Sequence, residues 1–247
     1  MVFLCGCGAA SPTTPAPAGT AAPPVQAAAM SLRVASLDVS SFRGRIGQEH
    51  VDELAGLIRT MNIDVLAVQG LTRYPGVSTR TDLIDALGAR TGMRAAFGET
   101  IAVSGRQSGN AVLSAYPVES SGSRNFEGVP GSGFEGALEA IVDAGTRPVV
   151  IVSTRLPEPL TPEDERICAG TLSSIAAGYP GDPLIVLGNL PPPRPGDGWN
   201  TAGAERTGAL LLWYTPRGIS VRAGRGARCE LGSLVVGDVD IYPRGRP

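Results

Sequence analysis

The 247-residue chain contains no lysine, and His50 is its only histidine. Read with the abundance of Ala, Gly and Pro, the missing lysines reflect the coding bias of a GC-rich genome and carry no chemical message. The shortage of histidine does carry one, because a reaction that needs two imidazoles for proton handling cannot be assembled from His50 alone. Also missing is any run of apolar residues near the ~20 that a bilayer-spanning helix requires. With a net charge of -2 the chain has no global attraction to nucleic acid. The stretch from Arg217 to Pro247 holds six Arg against Glu230, Asp238 and Asp240, which reads as a solvated local patch. Cys168 shares an apolar helical face with Leu172, Ile175 and Tyr179 and reads as a core residue, and its pairing with Cys229 stays open.

What is present is a core-forming composition: 43% hydrophobic residues and a mean hydropathy of +0.09 suit one globular domain with a tail. Residues 1–30 form the tail. They run from "MVFLCGC" into an uncharged Ala/Pro/Thr stretch that reads as an extended tether. Leu4, Cys5, Gly6 and Cys7 resemble a lipobox, with Cys7 as the lipidated residue, which places the protein in the cell envelope with a membrane link only through the lipid. Only three residues precede Leu4, so this reading puts the true start upstream. The alternative start at Met30 gives a cytoplasmic protein.

Residues 31–247 alternate strands and helices. "LRVASLDV" from Leu32 reads as a strand, and Gln48 onward as a helix with Val51, Leu54, Leu57, Ile58 and Met61 on one face. "DVLAVQ" from Asp64 is the next strand, and Leu83, Ile84 and Leu87 mark a helix ending near Gly92. Beyond Gly109 the pattern is strands and turns, interrupted by one helix for which Thr161, Pro162 and Asp164 supply a cap, a first-turn proline and a capping box. Such a pattern fits a sheet core flanked by helices.

The order of five segments resembles the endonuclease/exonuclease/phosphatase superfamily from about Leu32 to Ile241. "LRVASLDVSSF" is similar to its opening strand, "DVLAVQGL" to the strand ending in Gln-Glu, and "GNAVLSAYPV" to its Gly-Asn-Ala hairpin. "VVIVSTRL" is similar to the strand ending in Asn-Thr-His, and "PLIVLGNLP" to the one ending in Gly-Asp-x-Asn. The resemblance implies a DNase I-like α/β fold, a four-layer α/β sandwich of two packed, mostly antiparallel sheets flanked by helices.

It also implies a magnesium-dependent phosphoesterase site, in which a carboxylate on the second strand holds the cation and His and Asp residues manage protons and water. This chain departs from that pattern at nearly every point. Asp38 stands for the first-strand Asn, Gly70 for the Glu, Arg155 for the His of Asn-Thr-His, and Asn189 and Pro191 for the Asp and Asn of Gly-Asp-x-Asn. Leu210 and Gly232 stand at two later positions, and Asp197 in "PGDGWN" reads as a turn residue. His50, inside the first helix, reads as a half-buried or surface residue.

Asp38, Gln69, Arg155 and Asn189 are therefore expected to meet at the mouth of the sheets as a relic cleft, with no catalytic residue and no metal ligand. Arg155 there implies either an anion pocket or an internal ion pair with Asp38, the second being favoured. The function so implied is a non-catalytic, tethered binding or structural module whose ligand or partner the sequence leaves unnamed. The alternative is an active metal-dependent phosphodiesterase or phosphatase with a rearranged site.

Overall fold

A computed structural model describes residues 29–77, 79–131, 133–192, 198–202, 212–216, 218–222 and 226–243. The tether, Cys7, Asp197 and Leu210 lie outside these residues. The chain runs through β1 (Met30–Asp38), α1 (Gln48–Thr60), β2 (Val65–Arg73), α2 (Leu83–Thr91), β3 (Arg94–Val103), β4 (Arg106–Ser114), β5 (Val118–Arg124), β6 (Gly136–Asp143) and β7 (Pro148–Arg155). It continues through α3 (Pro162–Ala177), β8 (Leu184–Gly188), β9 (Asn200–Ala202), β10 (Leu212–Tyr214), β11 (Ile219–Arg222), β12 (Gly226–Cys229) and β13 (Gly232–Ile241).

Two sheets result. The first has the order β11-β13-β1-β2-β4-β3, with β12 also paired to β13, and the second has the order β5-β6-β7-β8-β10-β9. Each contains one parallel pair, β1 with β2 and β7 with β8, and the other neighbours are antiparallel. Both parallel pairs are joined by a helix, because a parallel crossover is too long for a hairpin turn.

Three apolar clusters define the layers. Leu37, Leu66 and Leu113 of the first sheet pack with Leu54 of α1 and Ile84 of α2. Val34 and Ala67 face Leu138, Ile151 and Leu187 across the space between the sheets. On the far side, Val150, Val152 and Val186 pack with Cys168 and Leu172 of α3. The order of layers is helices, sheet, sheet, helix, the expected sandwich. Each fully buried Leu contributes roughly 1.5–3 kcal/mol through burial.

Local chemistry sets the helix ends. Asp82 accepts the amides of Ile84 and Asp85 at 3.1 and 3.2 Å and so caps α2, which stops at Gly92 with φ 75°. Thr161 accepts the Asp164 amide at 3.1 Å, and Asp164 returns a contact to the Thr161 amide, completing the expected capping box on α3. In α1, Nδ1 of His50 accepts the Gly47 amide at 3.0 Å. His50 is buried, where the sequence suggested a half-buried or surface position, because its ring also lies edge-on to Phe42 at 5.0 Å.

The structure also answers two points that the sequence left open. Strand β3 had no apolar signature because it is an edge strand with most side chains exposed. Cys168 and Cys229 are both free thiols belonging to different layers, Cys168 on α3 against the second sheet and Cys229 near α1, so they do not pair. Among the described residues, no helix is long and apolar enough to cross a membrane.

Candidate functional site

Strand periodicity positions the site. Side chains alternate between faces, so the residues that follow the inter-sheet positions of a strand at two-residue steps enter the same layer. On β1, Leu32 and Val34 lie between the sheets, and Ser36 and Asp38 continue that row. Val65 and Ala67 on β2 lead to Gln69, while Val149 and Ile151 on β7 lead to Ser153 and Arg155. The parallel pairs both end at the same mouth, and Asp38 lies beside Gln69 in register. Four consecutive apolar positions on β8 then deliver Asn189 to the adjoining loop.

Gln69 is fully buried below the mouth. Its amide nitrogen donates to Ser153 Oγ at 3.1 Å and to the Leu187 carbonyl at 3.4 Å, while its oxygen accepts from Ser36 Oγ at 3.2 Å. It is a hydrogen-bonded tie between sheets rather than a group open to a ligand. Asn110, which stands in the Gly-Asn-Ala hairpin, is a second tie: its oxygen accepts the Gly70 amide at 3.3 Å and its nitrogen donates to the Gly136 carbonyl at 3.0 Å.

Arg155 is the centre of the upper layer. Its Nη1 donates to Glu135 Oε1 at 3.0 Å, its Nε faces Asp38 Oδ2 at 3.6 Å, and its Nη2 lies 3.9 Å from Glu158 Oε2. The Arg155 and Glu135 side chains are only 10% and 8% exposed, so that pair is desolvated, whereas Glu158 sits at the rim. Glu135 also accepts the amides of Gly133 and Phe134 at 2.9 and 3.0 Å, and Asp38 accepts that of Ser40 at 2.8 Å. Asn189 takes no part in the ion pairs. Its oxygen accepts the Leu156 amide at 2.7 Å, and its nitrogen donates to the Leu156 carbonyl at 3.1 Å and to Glu158 at 2.9 Å. Pro191 presents its carbonyl to Trp213 Nε1 at 2.9 Å.

The expected Asp38–Arg155 ion pair is therefore present, and the anion pocket expected as its rival at Arg155 is corrected. Three carboxylates already face the three guanidinium nitrogens, leaving excess negative charge there. Sequence reasoning missed Glu135. The β6–β7 hairpin contained the signal, because pairing Asp143 with Pro148 brings Gly136 opposite Arg155 and Glu135 next to it.

Two glycines close the other side of the mouth. Gly70 has φ +69°, at a shift of register between β2 and β4, and a Cβ there would stand 2.4 Å from the Ser40 Cβ. A Cβ on Gly232 would stand 2.6 Å from the Asp38 carbonyl oxygen. Neither position accepts a side chain without movement of β1 or the loop after it. Among the described residues, no group of three or more His, Cys, Asp and Glu side chains is arranged to hold a metal ion.

Comparison with known proteins fits this architecture. The sequence model of the "Endonuclease/Exonuclease/phosphatase family" matches residues 39–217, well over half of the chain. The chain belongs to this family. Among solved structures, an endonuclease/exonuclease/phosphatase from Beutenbergia cavernae is similar at 18% identity with a TM-score of 0.66, over 86% of this chain and 72% of that one. One from Bacteroides vulgatus aligns at 12% identity with a TM-score of 0.63, over 86% of this chain and 99% of that one. TDP2 from Caenorhabditis elegans aligns at 14% identity with a TM-score of 0.56, over 86% of this chain and 74% of that one. At these identities the structures establish the DNase I-like fold. A search of curated proteins finds no significant match.

Proposed function

We propose that this domain is a non-catalytic member of the endonuclease/exonuclease/phosphatase family, a binding module carried on a lipid-anchored tether. The observation that carries the reading is Gly70. Its left-handed backbone and its contact with Ser40 leave no side chain, and no room for one, where the family holds a divalent cation. Arg155 supports it by placing a fixed positive charge against Asp38, the one family-position carboxylate that could have helped. The residues present thus do not fit a magnesium ion, which needs several unclaimed oxygen ligands, and no reaction step is assigned through one. Lipidation rests on Cys7 in the lipobox-like "LCGC".

The test is turnover by the full chain with magnesium or manganese against DNA, bis(p-nitrophenyl) phosphate, sphingomyelin and inositol phosphates. No hydrolysis and no cation-binding heat are expected. Turnover that copurifies with the protein and vanishes in Asp38→Ala would establish the rival reading, a phosphoesterase with a rearranged site. For the anchor, Cys7→Ser should move the protein from the membrane to the soluble fraction.

A further inference from the structure

On the flank of the sandwich a cleft of about 680 Å³ opens between α3 and β5, the edge strand of the second sheet. Glu99 of β3, Ser123 of β5 and Glu127 in the loop after β5 line it, and α3 supplies Ile167, Gly170 and Ser174. The cleft shares no residue with the cluster around Arg155. Its volume lies within the roughly 300–1,000 Å³ of small-ligand sites.

Most hydrogen-bond donors around the cleft are committed, whereas its acceptors are open. Arg124, the one cation in the lining, reaches Glu139 at 3.4 Å, and Arg166, one turn before Gly170 on α3, is paired with Glu163. Thr171 donates its hydroxyl proton to the Ile167 carbonyl at 3.1 Å, and Asn125 donates from its amide nitrogen to the Thr100 carbonyl at 3.3 Å. Each of these two lining residues keeps an oxygen that can accept. Glu99 and Glu127 are exposed, and among the described residues neither side chain makes an ion pair or a hydrogen bond.

We infer that this cleft binds an aliphatic di- or polyamine, with Glu99 and Glu127 as the partners of two ammonium groups. An ammonium group is a pure donor, the complement of a lining that offers carboxylate, hydroxyl and amide oxygens. Competing classes fit less well. An anion would meet two unpaired like charges. A bare divalent metal ion finds no set of three acidic, His or Cys side chains among the described residues. A quaternary ammonium or a flat ring finds no aromatic face in the lining. Ile167 and the side-chain-free Gly170 leave an apolar strip for the methylene linker. The inference goes beyond the reading of the mouth and stands without it.

Calorimetry on the full chain with spermidine, putrescine, n-butylamine, tetramethylammonium and magnesium chloride tests it. Saturable binding of spermidine and putrescine is expected, weaker at high salt. Butylamine, with a single charge for two carboxylates, should bind roughly tenfold less tightly than putrescine, and tetramethylammonium, which has no N–H, should be silent. Glu99→Gln and Glu127→Gln should each weaken spermidine binding by roughly tenfold, as lost charge-assisted hydrogen bonds do, while Glu119→Gln at the opposite end of β5 leaves it unchanged. Gly170→Leu, where a Cβ meets only open space, should block the cleft without lowering the melting temperature. Absence of saturable spermidine binding at millimolar concentration, magnesium binding as tight as putrescine, tighter binding of a trilysine peptide than of spermidine, or equal loss in Glu119→Gln would overturn the inference.

Discussion

One mouth of the sandwich treats arginine in two opposite ways. Arg155 is desolvated and surrounded by acids, so its charge is spent inside the protein. Arg43 and Arg45 follow Asp38 in the loop after β1 and Arg80 lies in the loop after β2; all three are exposed, and among the described residues none of them is in an ion pair. The difference comes from strand parity. Asp38 and Arg155 follow the inter-sheet rows of β1 and β7 and are forced together, whereas the three outer arginines lie on loops that follow β1 and β2. Desolvated pairs stabilise or destabilise a fold, while exposed charges act on what arrives from solution.

Removing one member of each group breaks the comparison most directly. Arg155→Ala strands the buried Glu135 and should cost about 3–5 kcal/mol, seen as a fall in melting temperature on the order of 10 °C. Adding Glu135→Gln should recover part of that loss, because the uncompensated charge is then gone. Arg45→Ala, at an exposed loop position, should leave melting unchanged. An equal loss of stability in both single variants would mean that the two groups are not distinct.

Gly70→Glu sharpens the comparison at the boundary between them. Left-handed strain and the clash with Ser40 together should cost about 2–4 kcal/mol, measured by urea unfolding. No magnesium heat should appear. A stable variant that binds the cation would remove the main support for a non-catalytic domain.

Asn110→Ala leaves the buried Gly70 amide without its acceptor and should cost about 1–3 kcal/mol. The smallest effect is chemical. Burial pushes the Cys168 thiol up to about 12, so it should resist alkylation in the native protein at pH 8 and react once unfolded, as mass spectrometry can show. The sign for stability follows. A raised folded value helps the native state below the unfolded thiol's value of about 8.5, and that help fades as pH climbs above it.

The individual strands and helices were legible because the central strands are apolar runs and α3 carries its own cap, whereas the sandwich itself followed from the order of five segments that resemble the family. Val65–Val68, Val149–Val152 and Leu184–Leu187 announce buried strands, and Thr161 with Asp164 announces α3. Strand β3 was not legible, since a half-exposed edge lacks both a full apolar run and a clean alternation. In the site, residues at strand ends could be placed by counting along each strand. Asp38 and Arg155 met as expected, but Gln69 and Asn189 turned to the protein itself, as side chains with neighbouring amide and hydroxyl partners do. Glu135 escaped because its position depends on the β6–β7 register, a pairing across the hairpin and not a feature of its own neighbourhood.

The contact between Gly70 and Ser40 imposes an order on the history open to this chain. A drift toward an acidic residue at position 70 has to be preceded by a change in the loop that holds Ser40, since the reverse order passes through a poorly packed intermediate. Each such step is invisible to selection for cation chemistry until the last one is in place. Lineages carrying both Gly70 and Ser40 are therefore expected to diversify first around the outer loops, where single replacements of the exposed Arg43, Arg45 or Arg80 do not endanger the fold.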